Sequence, residues 1–124
     1  MKRFLVWLLV FAGILALPAC GMVRLDENAT VKLIAKYEPM IVDVTLEGEE
    51  AERVLFIIDN SLLYPDSGTP ACGFDEGYGI QIGDRMFSMP WDGCNTLKDI
   101  STDLYLNVSE GSMEYFHSLF QKYR

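Results

Sequence analysis

Residues 31–46, VKLIAKYEPMIVDVTL, decide the fold. Val31, Leu33, Ala35 and Tyr37 fall on one side and Lys32 and Lys36 on the other, with only Ile34 out of place. After Glu38-Pro39, Val42, Val44 and Leu46 share a side opposite Asp43 and Thr45. A period of two sends successive side chains to opposite faces of a strand, so both runs predict strands with one covered face. Pro39 has no N–H for a ladder and belongs between the two strands or on an edge.

Further along, Ile80 and Ile82 lead into Gly83-Asp84, with Met86, Phe87 and Met89 beyond. That pattern predicts a hairpin with strands near 78–82 and 85–89, closed by Pro90-Trp91-Asp92-Gly93. Leu104, Leu106 and Val108 alternate with Tyr105 and Asn107 in another short strand, 104–108. Met113, Phe116, Phe120 and Tyr123 then recur at helical spacing, with Leu119 beside them and Ser109 or Ser112 in place to cap. Residues 49–60, EEAERVLFIIDN, support two readings. Ala51, Val54, Leu55 and Ile58 make a helical stripe with early acids, whereas Val54 to Ile58 is also a β-rich run. Length and the acids favour the helix. Residues 64–77, YPDSGTPACGFDEG, carry too many Pro and Gly for a regular element. The expected class is α+β, a small antiparallel sheet covered by the C-terminal helix and by residues 49–60 as a second helix.

Upstream, the chain begins MKRFLVWLLVFAGILALPAC. Lys2 and Arg3 precede an uncharged run of 14 residues, Phe4 to Leu17. A membrane span needs about 20 apolar residues and a signal h-region about 7–15, so residues 1–19 predict an export signal. Leu17, Ala19 and Cys20 occupy the −3, −1 and +1 positions of a lipobox-like end, Leu17-Pro18-Ala19-Cys20. In these residues the chain resembles a bacterial lipoprotein precursor. The resemblance implies diacylglyceryl transfer to Cys20, cleavage before it and acylation, palmitate included, of the new amino terminus. It also implies a lipid-anchored place on the extracytoplasmic side of the cell envelope, on the outer membrane if the cell has one.

Removing residues 1–19 takes away Lys2 and Arg3 and no acid, moving the formal charge from −8 to −10. Such a body disfavours nucleic acid, whose binding draws on Lys and Arg at phosphates. Residues 20–30 read as a tether of at most about 33 Å, and residues 31–124 suit a single α+β domain with one disulfide. Three cysteines leave one odd, and assigning Cys20 to lipid leaves Cys72 and Cys94. An irregular arm and a hairpin can bring these two together in an oxidising compartment, closing a loop worth about 3 kcal/mol.

No metal, cofactor or catalytic motif emerges. Asp75, Glu76 and Asp92 could converge if their loops meet, and His117 is the single histidine. Tyr64, Phe74, Tyr78 and Trp91 crowd the cysteines and form a possible partner patch, although core packing uses the same residues. The first functional reading is a non-enzymatic binding or structural module that meets an envelope protein or polymer. The rivals are a small envelope hydrolase using the loop carboxylates, and an acidic inhibitor of a basic enzyme such as lysozyme.

Overall fold

The computed structural model describes residues 21–65, 73–91 and 93–124. The export signal, Cys20, Cys72 and Asp92 lie outside the described residues. The strands are β1 (Val31–Tyr37), β2 (Met40–Leu46), β3 (Phe74–Ile82), β4 (Arg85–Pro90), β5 (Thr96–Asp99) and β6 (Leu104–Asn107). Two helices accompany them, α1 (Gly48–Ile58) after β2 and α2 (Glu110–Tyr123) at the end. All strand pairs are antiparallel, in the order β2-β1-β3-β4-β5-β6.

Register assigns the two faces. Leu33 pairs with Val44 and with Ile80, Ile80 with Phe87, Phe87 with Asp99, and Leu97 with Leu106. These residues share the helix-covered face, where Leu33, Ile80, Phe87, Leu97 and Leu106 are fully buried. Met113, Phe116, Leu119 and Phe120 of α2 and Val54 and Ile58 of α1 complete that core. Each such side chain contributes roughly 1.5–3 kcal/mol by leaving water, so the two apolar stripes fix the helices to this face. The opposite face carries Lys32, Ile34, Gln81, Met86, Lys98 and Tyr105, half-buried side chains with no helix over them.

The turns follow their residues. Glu38-Pro39, joined by a cis peptide bond, connects β1 to β2, and Gly83 takes φ +61° in the two-residue link from β3 to β4. Ser109 caps α2, its hydroxyl accepting the Ser112 amide at 3.1 Å. Glu50 of α1 accepts hydrogen bonds from the Tyr123 hydroxyl and, at 2.9 Å, from Lys122, and the Arg53 guanidinium lies 3.9 Å over the Tyr115 ring. The two helices are thereby tied to each other as well as to the sheet.

Residues 49–58 form helix and Asp59 and Asn60 leave it in a turn, which settles the two readings of that stretch. Three features differ from expectation. Thr96–Asp99 is a strand that alternation does not reveal, because Leu97 is its only apolar residue. Phe74–Gly77 belongs to β3 although it reads as irregular. Phe74 pairs with Pro90 and Gly79 with Ser88, so β3 takes five steps where β4 takes two, and the excess bulges out. Residues 21–25, read as a loose tether, lie docked on the domain, with Val23 fully buried.

The disulfide is corrected as well. Among the described residues no two sulfurs stand at bonding distance, since Cys94 is the one cysteine there and Cys72 falls outside them. Cys94 is not without a partner. The Cys72–Cys94 bridge is accordingly not counted among the supports of the described residues, which the sheet and helix contacts above hold together.

Candidate functional site

The bulge in β3 builds a distinctive surface among the described residues. It lies at the sheet end where β1 finishes, β3 starts and β4 finishes, so Tyr37, Asp75 and Trp91 arrive there from three strands. Tyr37 continues the Val31, Leu33, Ala35 side beyond the covered core and is 47% exposed. Its ring lies against the Gly77 backbone, where a Cβ would stand 2.6 Å from the ring's Cε2. Its hydroxyl donates to Asp75 Oδ1 at 2.9 Å, and that oxygen also accepts the Gly77 amide at 2.7 Å. The hydrogen bond to Asp75, then burial and the nearby negative charge, raise the Tyr37 pKa above the usual phenol value.

Asp75 is held from its other side by Ser88. The buried Ser88 hydroxyl accepts the Asp75 amide at 2.9 Å and donates to the Asp75 carbonyl at 2.7 Å. The bulge is thus stitched to β4 by a side chain where ladder bonds have lapsed.

Trp91 follows β4 and donates its backbone N–H to the Gly73 carbonyl at 3.0 Å. It is 52% exposed. Its ring centroid stands 5.8 Å from Tyr37 in an edge-on arrangement and 4.7 Å from Tyr78. Tyr78, only 5% exposed, meets Phe120 of α2 edge-on at 5.0 Å, and burial raises its pKa. A ladder of rings therefore runs from the core at Phe120 through Tyr78 to an exposed pair, Trp91 and Tyr37.

The residues singled out in the sequence do not form one patch. Tyr78 and Trp91 belong to this ladder, with Tyr78 as its buried support. Tyr64 and Phe74 instead flank Tyr105, at centroid distances of 6.4 and 5.6 Å. The Tyr64 hydroxyl donates to Asn107 Oδ1 at 2.5 Å, and Tyr64 forms a β-bridge with Tyr105. Tyr105 shares the uncovered face through its pairing with Lys98, opposite to Tyr78. Two aromatic groups thus stand on the two faces of the sheet. Tyr37 was missed because its contacts with Asp75 and Gly77 are long-range facts; the hint was its place at the end of an apolar alternation.

The residues proposed for hydrolysis are scattered in role. The Asp75 carboxylate serves the turn and Tyr37. Glu76 is exposed on the rim of a shallow cleft of about 330 Å³ that also includes Asp84, Gln81 and Lys36. His117 is exposed on α2, off the stripe made by Met113, Phe116 and Phe120. A larger cleft of about 430 Å³ lies between residues 25–28 and α1. Asp26, Glu27, Glu52 and Asp59 line it, but Asp59 Oδ1 accepts the Leu25 amide at 3.0 Å and Asp26 Oδ1 the Asn28 amide at 2.9 Å. Among the described residues no group of three or more His, Cys, Asp or Glu could hold a metal ion, and no helix is long and apolar enough to cross a membrane.

Compared with protein-family models, curated proteins and solved structures, the chain matches none.

Proposed function

We propose that this chain is an envelope lipoprotein, anchored through lipid on Cys20, that binds another envelope protein or polymer through Tyr37 and Trp91. The observation that carries the reading is the exposed edge-on pair of rings, fixed by Asp75 and Gly77 and backed by Tyr78. Aromatic side chains held in place ahead of contact are what dominate binding surfaces, because they bury large area with little further ordering. Anchoring is supported by the lipobox-like residues Leu17, Ala19 and Cys20. Two or more acyl chains hold a protein firmly where one holds it only marginally.

The binding reading predicts that a photo-crosslinker placed at position 37 captures a discrete envelope component in cells. Trp91→Ala should weaken that capture by roughly tenfold or more, the cost of a hot-spot ring. Capture from position 37 that is indifferent to Trp91→Ala, in a variant folded by circular dichroism, would sink the platform. The anchoring reading predicts that a palmitate analogue labels the wild type and not Cys20→Ser; equal labelling of both would end it.

A further inference from the structure

The segment that follows Cys20 is docked from its first described residue. The Gly21 carbonyl accepts the Leu63 amide at 2.7 Å, and Met22 forms an antiparallel bridge with Leu62. Val23 donates to the Ser61 carbonyl and accepts from the Asn60 amide, both at 2.9 Å, with its side chain fully buried. Leu25 donates to Asp59 Oδ1 at 3.0 Å. An acylated Cys20 would therefore be separated from docked chain by one peptide link, about 3.8 Å between Cα atoms, and not by a spacer of up to about 33 Å.

That geometry brings the domain surface beside Gly21 to the lipid. Leu62, the bridge partner of Met22, is 69% exposed. Phe56, in the last turn of α1 and lining the same cleft as Leu25, is 84% exposed. These are the two most exposed large apolar side chains among the described residues, and both border the docked segment. We infer that Met22, Leu62 and Phe56 form a membrane-contact surface that rests on the lipid head-group layer. The inference rests on acylation of Cys20, and it deepens that reading by fixing which side of the domain faces the membrane. Asp26, Glu27 and Glu52 beside the cleft oppose anionic head groups, so the surface fits a zwitterionic lipid layer.

The test uses the full chain after acylation, in isolated membranes and reconstituted into phosphatidylcholine vesicles. A photoreactive side chain is placed at position 56, at position 62 and, as a control, at the exposed Asp43 position. Lipid adducts should be roughly tenfold more abundant at 56 and 62 than at 43. Loss of the acyl label from the wild type overturns the anchor and this inference together. A labelled chain with no excess of lipid adducts at 56 and 62 overturns this inference alone. Protein adducts at 62 in place of lipid also overturn it, by showing that another chain covers the surface.

Discussion

Asp99 is fully buried at the end of β5, and removing its carboxylate tests whether the β4–β5–β6 corner is organised around that group. It accepts from Arg85 Nη2 at 2.5 Å, from the Ser101 hydroxyl at 2.8 Å, from the Ser101 amide at 3.2 Å and from Thr102 at 2.9 Å. Breaking a fully buried ion pair costs about 3–5 kcal/mol, because a charge is left unpaired in the interior. Here Arg85 retains 24% side-chain exposure and Ser101 and Thr102 are exposed, so the abandoned donors can find water. What is lost is chiefly the charged hydrogen bonding, at about 1.5–3 kcal/mol. Asp99→Ala should therefore destabilise by about 2–3 kcal/mol at pH 7, moving the urea midpoint down by about 1–2 M with the m-value unchanged. Burial pushes the Asp99 pKa up, but hydrogen bonds from Arg85, Ser101 and Thr102 and the Arg85 charge together hold it below the ordinary carboxylate value. A folded pKa below the unfolded one gives stability that is present above the unfolded value and lost as pH falls through the folded one. The gap between wild type and variant should accordingly narrow below about pH 4. Equilibrium unfolding in urea, followed by far-UV circular dichroism at pH 7 and pH 3, measures both. A gap under about 0.5 kcal/mol at pH 7, or one undiminished at pH 3, would refute the reasoning.

Gly79→Ala should abolish or severely weaken folding, by about 3 kcal/mol or more, as read by thermal melts and soluble yield. A Cβ there overlaps the Phe87 carbonyl oxygen and stands 2.9 Å from Ser88 Cα, and backbone of a central strand cannot step aside. Glu50→Gln should flatten the acid limb of the melting profile. The Tyr123 hydroxyl and then Lys122 hold the Glu50 pKa low, so the wild type loses the helix-to-helix tie as pH falls through that lowered value. The effect at pH 7 should stay below about 1 kcal/mol, as for other solvent-accessible ion pairs.

Period and turn chemistry carried most of the architecture. The two alternating runs within residues 31–46 form Val31–Tyr37 and Met40–Leu46, and the α2 stripe buries Met113, Phe116 and Phe120 as its spacing requires. Propensity could not decide Gly48–Ile58, because Val54 to Ile58 fits either state; burial of Val54 and Ile58 on one side shows that the helical stripe won. β5 was illegible for a specific reason. Its covered-face residues are Leu97 and the charged Asp99, and a buried charge looks like a solvated one until its donors are known. The bulge was hidden in the same way, since Gly73 and Gly77 mark irregular backbone without saying that it stays within a strand. Sequence proximity also misjudged the aromatic patch. Tyr78 and Phe74 are close in the chain, but the bulge between Phe74 and Gly79 and the alternation beyond it leave their rings on opposite faces.

The same bulge holds the Tyr37–Trp91 pair in the form that the proposed binding role requires. An exposed tyrosine at a strand end would ordinarily sample several rotamers, and a partner would have to freeze it at about 0.5–1.5 kcal/mol. Three constraints act before any partner arrives: the flat backbone at Gly77, the Asp75 carboxylate on the hydroxyl, and the edge of Trp91. Trp91 is in turn seated on Tyr78, which Phe120 fixes from the core. These contacts leave Tyr37 47% and Trp91 52% exposed, so they order the pair while about half of its surface stays open to a partner. Val31 and Tyr37 stand at opposite ends of β1, about 20 Å apart for a strand of this length. The docked N-terminal segment feeds the Val31 end, which leaves the ring pair at the end of the strand remote from the chain's approach to the proposed anchor.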